Sequence, residues 1–109
     1  MAGKEGYAVV MTTAAGETAA EELAAAIVAR GLAACVQVLK MRSFFAWKGA
    51  VNRADEWLLL IKTRAGLFAE LEKFIRANHT YEIPEIIQVP VNQGSAAYLR
   101  WIDEATAAE

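Results

Sequence analysis

Apolar positions along this chain fall into four extended runs and three segments with helical spacing, and the order of the two kinds sets the architecture. Tyr7 to Thr13 (YAVVMTT) is apolar and β-branched, the character of a buried strand. Gly16 and Glu17 open an alanine-rich segment to Arg30 with Leu23 and Ile27 on one face. Its acids Glu17, Glu21 and Glu22 come early, Arg30 comes late and Gly31 lies just beyond, which matches a helix dipole and a left-handed stop. From Leu32 to Trp47 no helical stripe is visible, and the segment reads as a strand longer than the usual five or six residues. Lys48-Gly49 is placed at a turn, and a second dense strand runs from Asp55 to Thr63, so the two form a hairpin. Thr63 is expected to cap a helix whose apolar face is Leu67, Phe68, Leu71, Phe74 and Ile75. That helix cannot pass Pro84, because proline lacks the N–H and clashes with the preceding turn. Glu85 to Val91 is the fourth strand, with Pro90 marking an edge or a bulge. Asn92 to Ser95 turns into a final helix, Ala96 to about Ala105, carrying Tyr98, Leu99, Trp101 and Ile102.

The order β-α-β-β-α-β predicts an α+β fold of the ferredoxin-like, split βαβ kind: a four-stranded antiparallel sheet with an extra C-terminal helix, in one domain spanning residues 1–109. Right-handed crossovers put both internal helices on one face and leave the other bare. Side chains alternate along a strand, so Trp57, Leu59 and Ile61 point one way and Leu58 and Leu60 the other. Val36, Val38 and Phe44 similarly oppose Leu39, Met41 and Phe45. Both faces are apolar, and the two helices cover one of them. The other is expected to be buried against identical subunits, since an open apolar sheet face would aggregate.

Composition narrows the partners. Although 56% of residues are hydrophobic, 23 of the 109 are alanines, which favour helices more than they fill cores. A net charge of -2 and scattered Lys and Arg provide no field for nucleic acid. No stretch approaches the roughly 20 apolar residues of a membrane span, and the N-terminus does not follow a signal-peptide pattern. The single Cys35 fits a reducing compartment, so a cytosolic location is expected.

Candidate chemistry concentrates in His79 to Pro90 (HTYEIPEIIQVP), which holds the sole histidine, both prolines, Glu82 and Glu85. His79 and Glu82 lie three apart and could share one helical-turn face, a mixed nitrogen and oxygen site that needs further ligands from a neighbour. A histidine that caps the preceding helix or bonds across an interface is the plainer account. Glu82 and Glu85 with Tyr81 could do acid/base work, but no sugar-binding or nucleophile motif accompanies them. Glu56 and Lys62 stand an even six apart, on one face of the third strand, where they either pair or line a cleft. Cys35 has no cationic neighbour in sequence and reads as an inert thiol. Trp47, Trp57 and Trp101 read as core or interface anchors. Walker, Rossmann, nucleophile-elbow and metalloprotease patterns are all missing, and neither Arg42 nor Arg53 sits in the glycine-rich loop an acylphosphatase would need, so no enzyme is expected.

Five blocks then carry a resemblance: GLAACV (Gly31 to Val36); Ser43, Phe45 and Trp47 followed by Lys48-Gly49; Glu56 with Leu58 to Thr63; His79, Tyr81, Glu82 and Pro84 to Ile86; and Gly94 with Tyr98 to Ile102. In this order and spacing the chain resembles the CutA divalent-cation-tolerance proteins, small homotrimers architecturally similar to the PII signal-transduction proteins. The resemblance implies a homotrimer in which the long hairpin reaches a neighbour, with Phe44, Phe45, Trp47 and Trp101 at the interface. It implies a metal or small-ligand cleft near the histidine motif, with His79, Asn78 and Thr12 at metal positions for copper or zinc. Cys35, Glu56, Lys62, Tyr81, Glu82 and Glu85 would line that cleft. It implies no established catalysis; the alternative role is a trimer that presents a surface to a protein partner. Three departures stand out: Thr80 where the family usually has proline, Phe45 where it often has tyrosine, and Thr12 and Asn78 where copper-binding members carry cysteine and a second histidine.

Overall fold

The computed structural model describes residues 6–107, so residues 1–5 and 108–109 of the expected single domain lie outside the described residues. Strand β1 (Tyr7–Ala14) leads to helix α1 (Glu17–Ala29), strands β2 (Cys35–Trp47) and β3 (Ala50–Arg64), a single 3-10 turn (Ala65–Leu67), helix α2 (Phe68–Ala77), strand β4 (Ile86–Val91) and helix α3 (Ala96–Ala105). The four strands form one antiparallel sheet in the order β2-β3-β1-β4, the ferredoxin-like arrangement expected. Pro90 sits on the edge strand β4, where a missing N–H costs no ladder bond on the open side. No described helix is long and apolar enough to cross a membrane.

Gly31 ends α1 as its sequence suggests. At φ 71° it lets its own N–H reach the Val28 carbonyl (3.0 Å) and the Leu32 N–H reach that of Ile27 (3.1 Å), so both orphan carbonyls are satisfied. The start of α2 differs from expectation. Thr63 does not cap it; the strand continues to Arg64, and the buried Thr63 hydroxyl donates to the Leu32 carbonyl at 2.7 Å. Tertiary pairing wins because β1 offers Thr63 a ladder partner in Ala8. The second strand also begins later than expected, at Cys35, because the turn out of α1 consumes Leu32 to Ala34.

One sheet face carries Val10, Val36, Val38, Leu59 and Ile61 against Leu23 and Ile27 of α1 and Leu71 and Ile75 of α2, which together form the core. The opposite face carries Met11, Leu39, Leu58, Leu60, Ile87 and Val89, in register across all four strands. It is not wholly bare, because α3 folds over one end of it. Tyr7 Oη donates to Asp103 Oδ2 at 2.7 Å, the Lys62 ammonium lies 5.9 Å from the Tyr98 ring, and Arg64 donates to Thr106 Oγ1 and to the Thr106 carbonyl, both at 2.8 Å. The guanidinium thus closes the C-terminal end of α3, whose last carbonyls have no helical partner. Beyond α3, Leu39, Ile87 and Val89 remain 46%, 49% and 44% exposed.

The hairpin turns at Lys48-Gly49 with φ of 51° and 78°, both left-handed, the geometry of the tight two-residue turn that matches strand twist. Glycine takes this conformation freely, whereas lysine is strained in it. Asparagine tolerates it, so Lys48→Asn is expected to stabilise the protein by about 0.5–1 kcal/mol, read as a raised denaturant midpoint at unchanged slope.

Candidate functional site

A cavity of about 750 Å³ opens between the far half of the hairpin and the loop that joins α2 to β4. The register centred on Lys48-Gly49 sets the hairpin wall: Ser43 faces Ala54, Phe45 faces Asn52, and Met41 faces Glu56, all on one side. Trp47 continues that side, while Phe44, which alternates to the other face, and Thr13 of β1 also border the cavity. The other wall is Tyr81, Glu82, Ile83 and Glu85.

His79 builds the second wall rather than lining it. Its Nδ1 accepts the Tyr81 N–H at 3.1 Å, so the proton sits on Nε2, which donates to the Thr13 carbonyl at 2.6 Å. The imidazole ties the loop to β1 and turns Tyr81 toward the sheet, with the two rings 4.8 Å apart. Tyr81 Oη donates to Glu56 Oε2 at 2.6 Å, and Glu56 is 7% exposed. Burial, the hydrogen bond to Glu56 and that carboxylate's charge push the Tyr81 hydroxyl up to about 12. Burial and then the charge of Glu56 raise the Glu85 carboxyl above its ordinary 4.5.

A carboxyl raised in the fold favours its protonated form there, so the ionised Glu85 costs stability at neutral pH. That cost is absent below the ordinary value and sets in as pH rises through the folded one. Glu85→Gln is therefore expected to unfold at higher denaturant than the parent at pH 7 and to lose that advantage in acid below about pH 4. Equal midpoints at pH 7 would show that Glu85 carries no such cost.

The expected cleft residues divide into two groups. Glu56, Tyr81, Glu82 and Glu85 converge on the cavity, but Cys35 and Lys62 do not line it. They oppose each other in the ladder at the other end of β3, about 20 Å from Glu56 at roughly 3.4 Å per residue. An even offset guarantees a shared face, not proximity, so Glu56 and Lys62 neither pair nor share a cleft. Cys35 is half-buried and forms no disulfide. Sequence reasoning missed Thr13, Ser43, Asn52, Ala54 and Ile83. Carrying the hairpin register outward from Lys48-Gly49 would have found Ser43, Asn52 and Ala54.

Copper or zinc does not fit the positions the resemblance implies. Both His79 nitrogens are committed, and the Asn78 side-chain amide donates to the Phe74 carbonyl at 2.9 Å, closing the end of α2. Thr12 is fully buried in the row that faces the helices, and its hydroxyl, without a hydrogen-bond partner, is a neutral oxygen where such metals want nitrogen or sulfur. Among the described residues no three His, Cys, Asp or Glu side chains gather as a metal-holding group. The aromatic positions Phe44, Phe45, Trp47 and Trp101 are 66%, 42%, 39% and 42% exposed in the single chain.

Comparison with known proteins places these features in a family. Residues 8–105 match the model of the CutA1 divalent ion tolerance protein family. Protein CutA of Mus musculus is 40% identical over 95 residues, covering 86% of this chain and 54% of the relative. The chloroplastic protein CutA of Arabidopsis thaliana is 40% identical over 99 residues, covering 90% of this chain and 54% of the relative. The chain thus spans about half the length of these relatives. The solved structure of the periplasmic divalent cation tolerance protein CutA from Archaeoglobus fulgidus superimposes with a TM-score of 0.90 at 35% identity, covering 92% of this chain and 98% of that one. These relatives correct the cytosolic expectation: one is described as periplasmic and another as chloroplastic, so a lone cysteine does not fix the compartment of this fold.

Proposed function

We propose, from the premise that this chain belongs to the CutA1 divalent ion tolerance family, that it is a non-catalytic binding module that responds to a cation held in the hairpin cleft and acts as a homotrimer. The observation that carries this reading is the charge of the cleft: Glu56, Glu82 and Glu85 line it, and among the described residues no lysine or arginine does. Negative groups held close in a partly dry cleft favour an entering positive charge. Enzyme chemistry finds no support, because the raised Tyr81 hydroxyl stays protonated near neutrality and Glu56 is occupied by it. The trimer rests on the apolar rows left open beyond α3, Leu39, Ile87 and Val89 among them, which a second copy would bury. Because the hairpin is itself one wall, an occupant would act on whatever the hairpin touches, a route to signalling of the PII kind.

Light scattering is expected to give about three times the 11.9 kDa chain mass. Manganese, zinc and choline chlorides would be titrated while the Trp47 indole N–H is followed by NMR in the parent, His79→Ala and Glu85→Gln. At least one cation is expected to shift or broaden Trp47, and Glu85→Gln to weaken the response. If no cation disturbs Trp47, the cleft is not a cation site and the trimer is left with a surface-presenting role.

A further inference from the structure

We infer that α3 is a strap, a helix that lifts from the second face of the sheet as one unit while the rest of the fold stays closed, and so sets how much of that apolar face is open. The core on the other face is complete without it. Among the described residues, every member of that core comes from the sheet, α1, α2 or the turn after α1, and none comes from α3. What holds α3 down is mostly polar and gathered at one place. Tyr7 and Arg64, opposed at one end of the β1–β3 ladder, bond to Asp103 and Thr106, and Lys62, two residues further in, lies against the Tyr98 ring. The helix buries one large apolar side chain, Ile102, and ten residues with a single such anchor do not make a helix that is stable on its own. Docking also has a cost: Asp103 Oδ1 is buried with no hydrogen-bond partner among the described residues, and water would supply one when the helix lifts. The approach to α3, Asn92 to Gly94, is exposed and belongs to neither strand nor helix, so it can turn without breaking the ladder. The N-terminal cap travels with the helix, because Ser95 Oγ accepts the Tyr98 N–H at 3.3 Å. Lifting opens the row to which Lys62 belongs, Cys35, Lys62, Val9 and Val89 across the four strands, and joins it to the exposed Leu39 and Ile87.

Amide hydrogen exchange on the full chain, followed residue by residue by NMR at rising sub-denaturing guanidinium, reads the opening. The amides from Leu99 to Thr106, which donate within α3 and its caps, are expected to share one protection factor. It should lie at least about a hundredfold below that of β1 and β3 and fall less steeply with denaturant than global unfolding does. Tyr7→Phe removes one bond to a carboxylate and should speed exchange in α3 by about ten- to a hundredfold. Ile75→Val, a change in the core on α2, should speed β1 and β3 by about two- to tenfold and leave α3 as it was, because that core is intact while the strap is open. Circular dichroism of both variants checks that the fold persists. Exchange of α3 at the core rate, with the two rising together in Ile75→Val, would overturn the inference, since α3 would then open only with the whole fold. Exchange of α3 at the unfolded rate in the parent would overturn it as well, because nothing would be strapped down. Unchanged α3 rates in Tyr7→Phe would remove the tie on which the strap depends.

Discussion

Replacing Leu59 with alanine is expected to cost about 3–5 kcal/mol, a substantial share of what a domain of this size has to lose. Leu59 is fully buried at the centre of β3, opposite Val38 on one side and Thr12 on the other, in the face that packs under α1 and α2. Every neighbour belongs to a strand or helix anchored elsewhere, so the space left by three carbons cannot close by local collapse. Leu60, one residue on, points to the other face, opposite Gln37 and Met11, and is half-buried. Within one chain Leu60→Ala is expected to cost only about 1 kcal/mol, because little area is lost from contact. If a second copy covers this face, the cost rises toward that of Leu59, and the midpoint of Leu60→Ala moves up with protein concentration while that of Leu59→Ala does so only as much as the parent's. Denaturant unfolding at several protein concentrations reads both. A loss below about 1 kcal/mol for Leu59→Ala would mean that the core does not run through this position.

The two-sided reading of β3 was available from alternation alone, because a strand leaves only two directions for its side chains. The same held for the Lys48-Gly49 hairpin and the Gly31 stop, where local backbone demands single out the residue. What the sequence concealed was tertiary. Thr63 looks like a helix cap, but its hydroxyl serves Leu32 and its backbone serves β1. The final helix looked like an appendage, yet Tyr7 and Arg64, which oppose each other at one end of the β1–β3 ladder, bond to it and hold it over the second face. At the site, Glu56, Tyr81, Glu82 and Glu85 were found as chemistry-bearing residues near a proline joint, while Cys35 and Lys62 were grouped with them by face and separated from them by distance along the strand. His79 drew attention as the sole imidazole. Its role is legible only once the Thr13 carbonyl, far away in sequence, is seen to meet its Nε2.

The loop that His79 ties down depends in turn on one bond to the sheet, so Tyr81→Phe is expected to destabilise the protein by about 1.5–3 kcal/mol. Tyr81 Oη reaches Glu56 Oε2 at 2.6 Å, a short bond to a buried carboxylate, and phenylalanine leaves that charge short of a donor. Glu56→Gln should cost less, because the glutamine carbonyl still accepts from Tyr81 and the repulsion with Glu85 disappears. In the double variant the loss of Tyr81 Oη should therefore be smaller by about 1 kcal/mol than in the parent, and that difference is the charge-assisted part of the bond. An alkaline series gives a second readout with a definite sign. The folded protein holds the Tyr81 proton above the ordinary 10.0, up to about 12, so the stabilisation is complete below pH 10 and is lost as pH climbs through that window. Tyr7, raised by its bond to Asp103, loses stabilisation on the same side, so Tyr81→Phe should flatten the alkaline decline without abolishing it. An unchanged alkaline slope in Tyr81→Phe would mean that the hydroxyl is not held by Glu56 in solution. The loop would then keep the His79 bond to the Thr13 carbonyl but lose its tie to Glu56, and the cleft would lack the wall on which its proposed function depends.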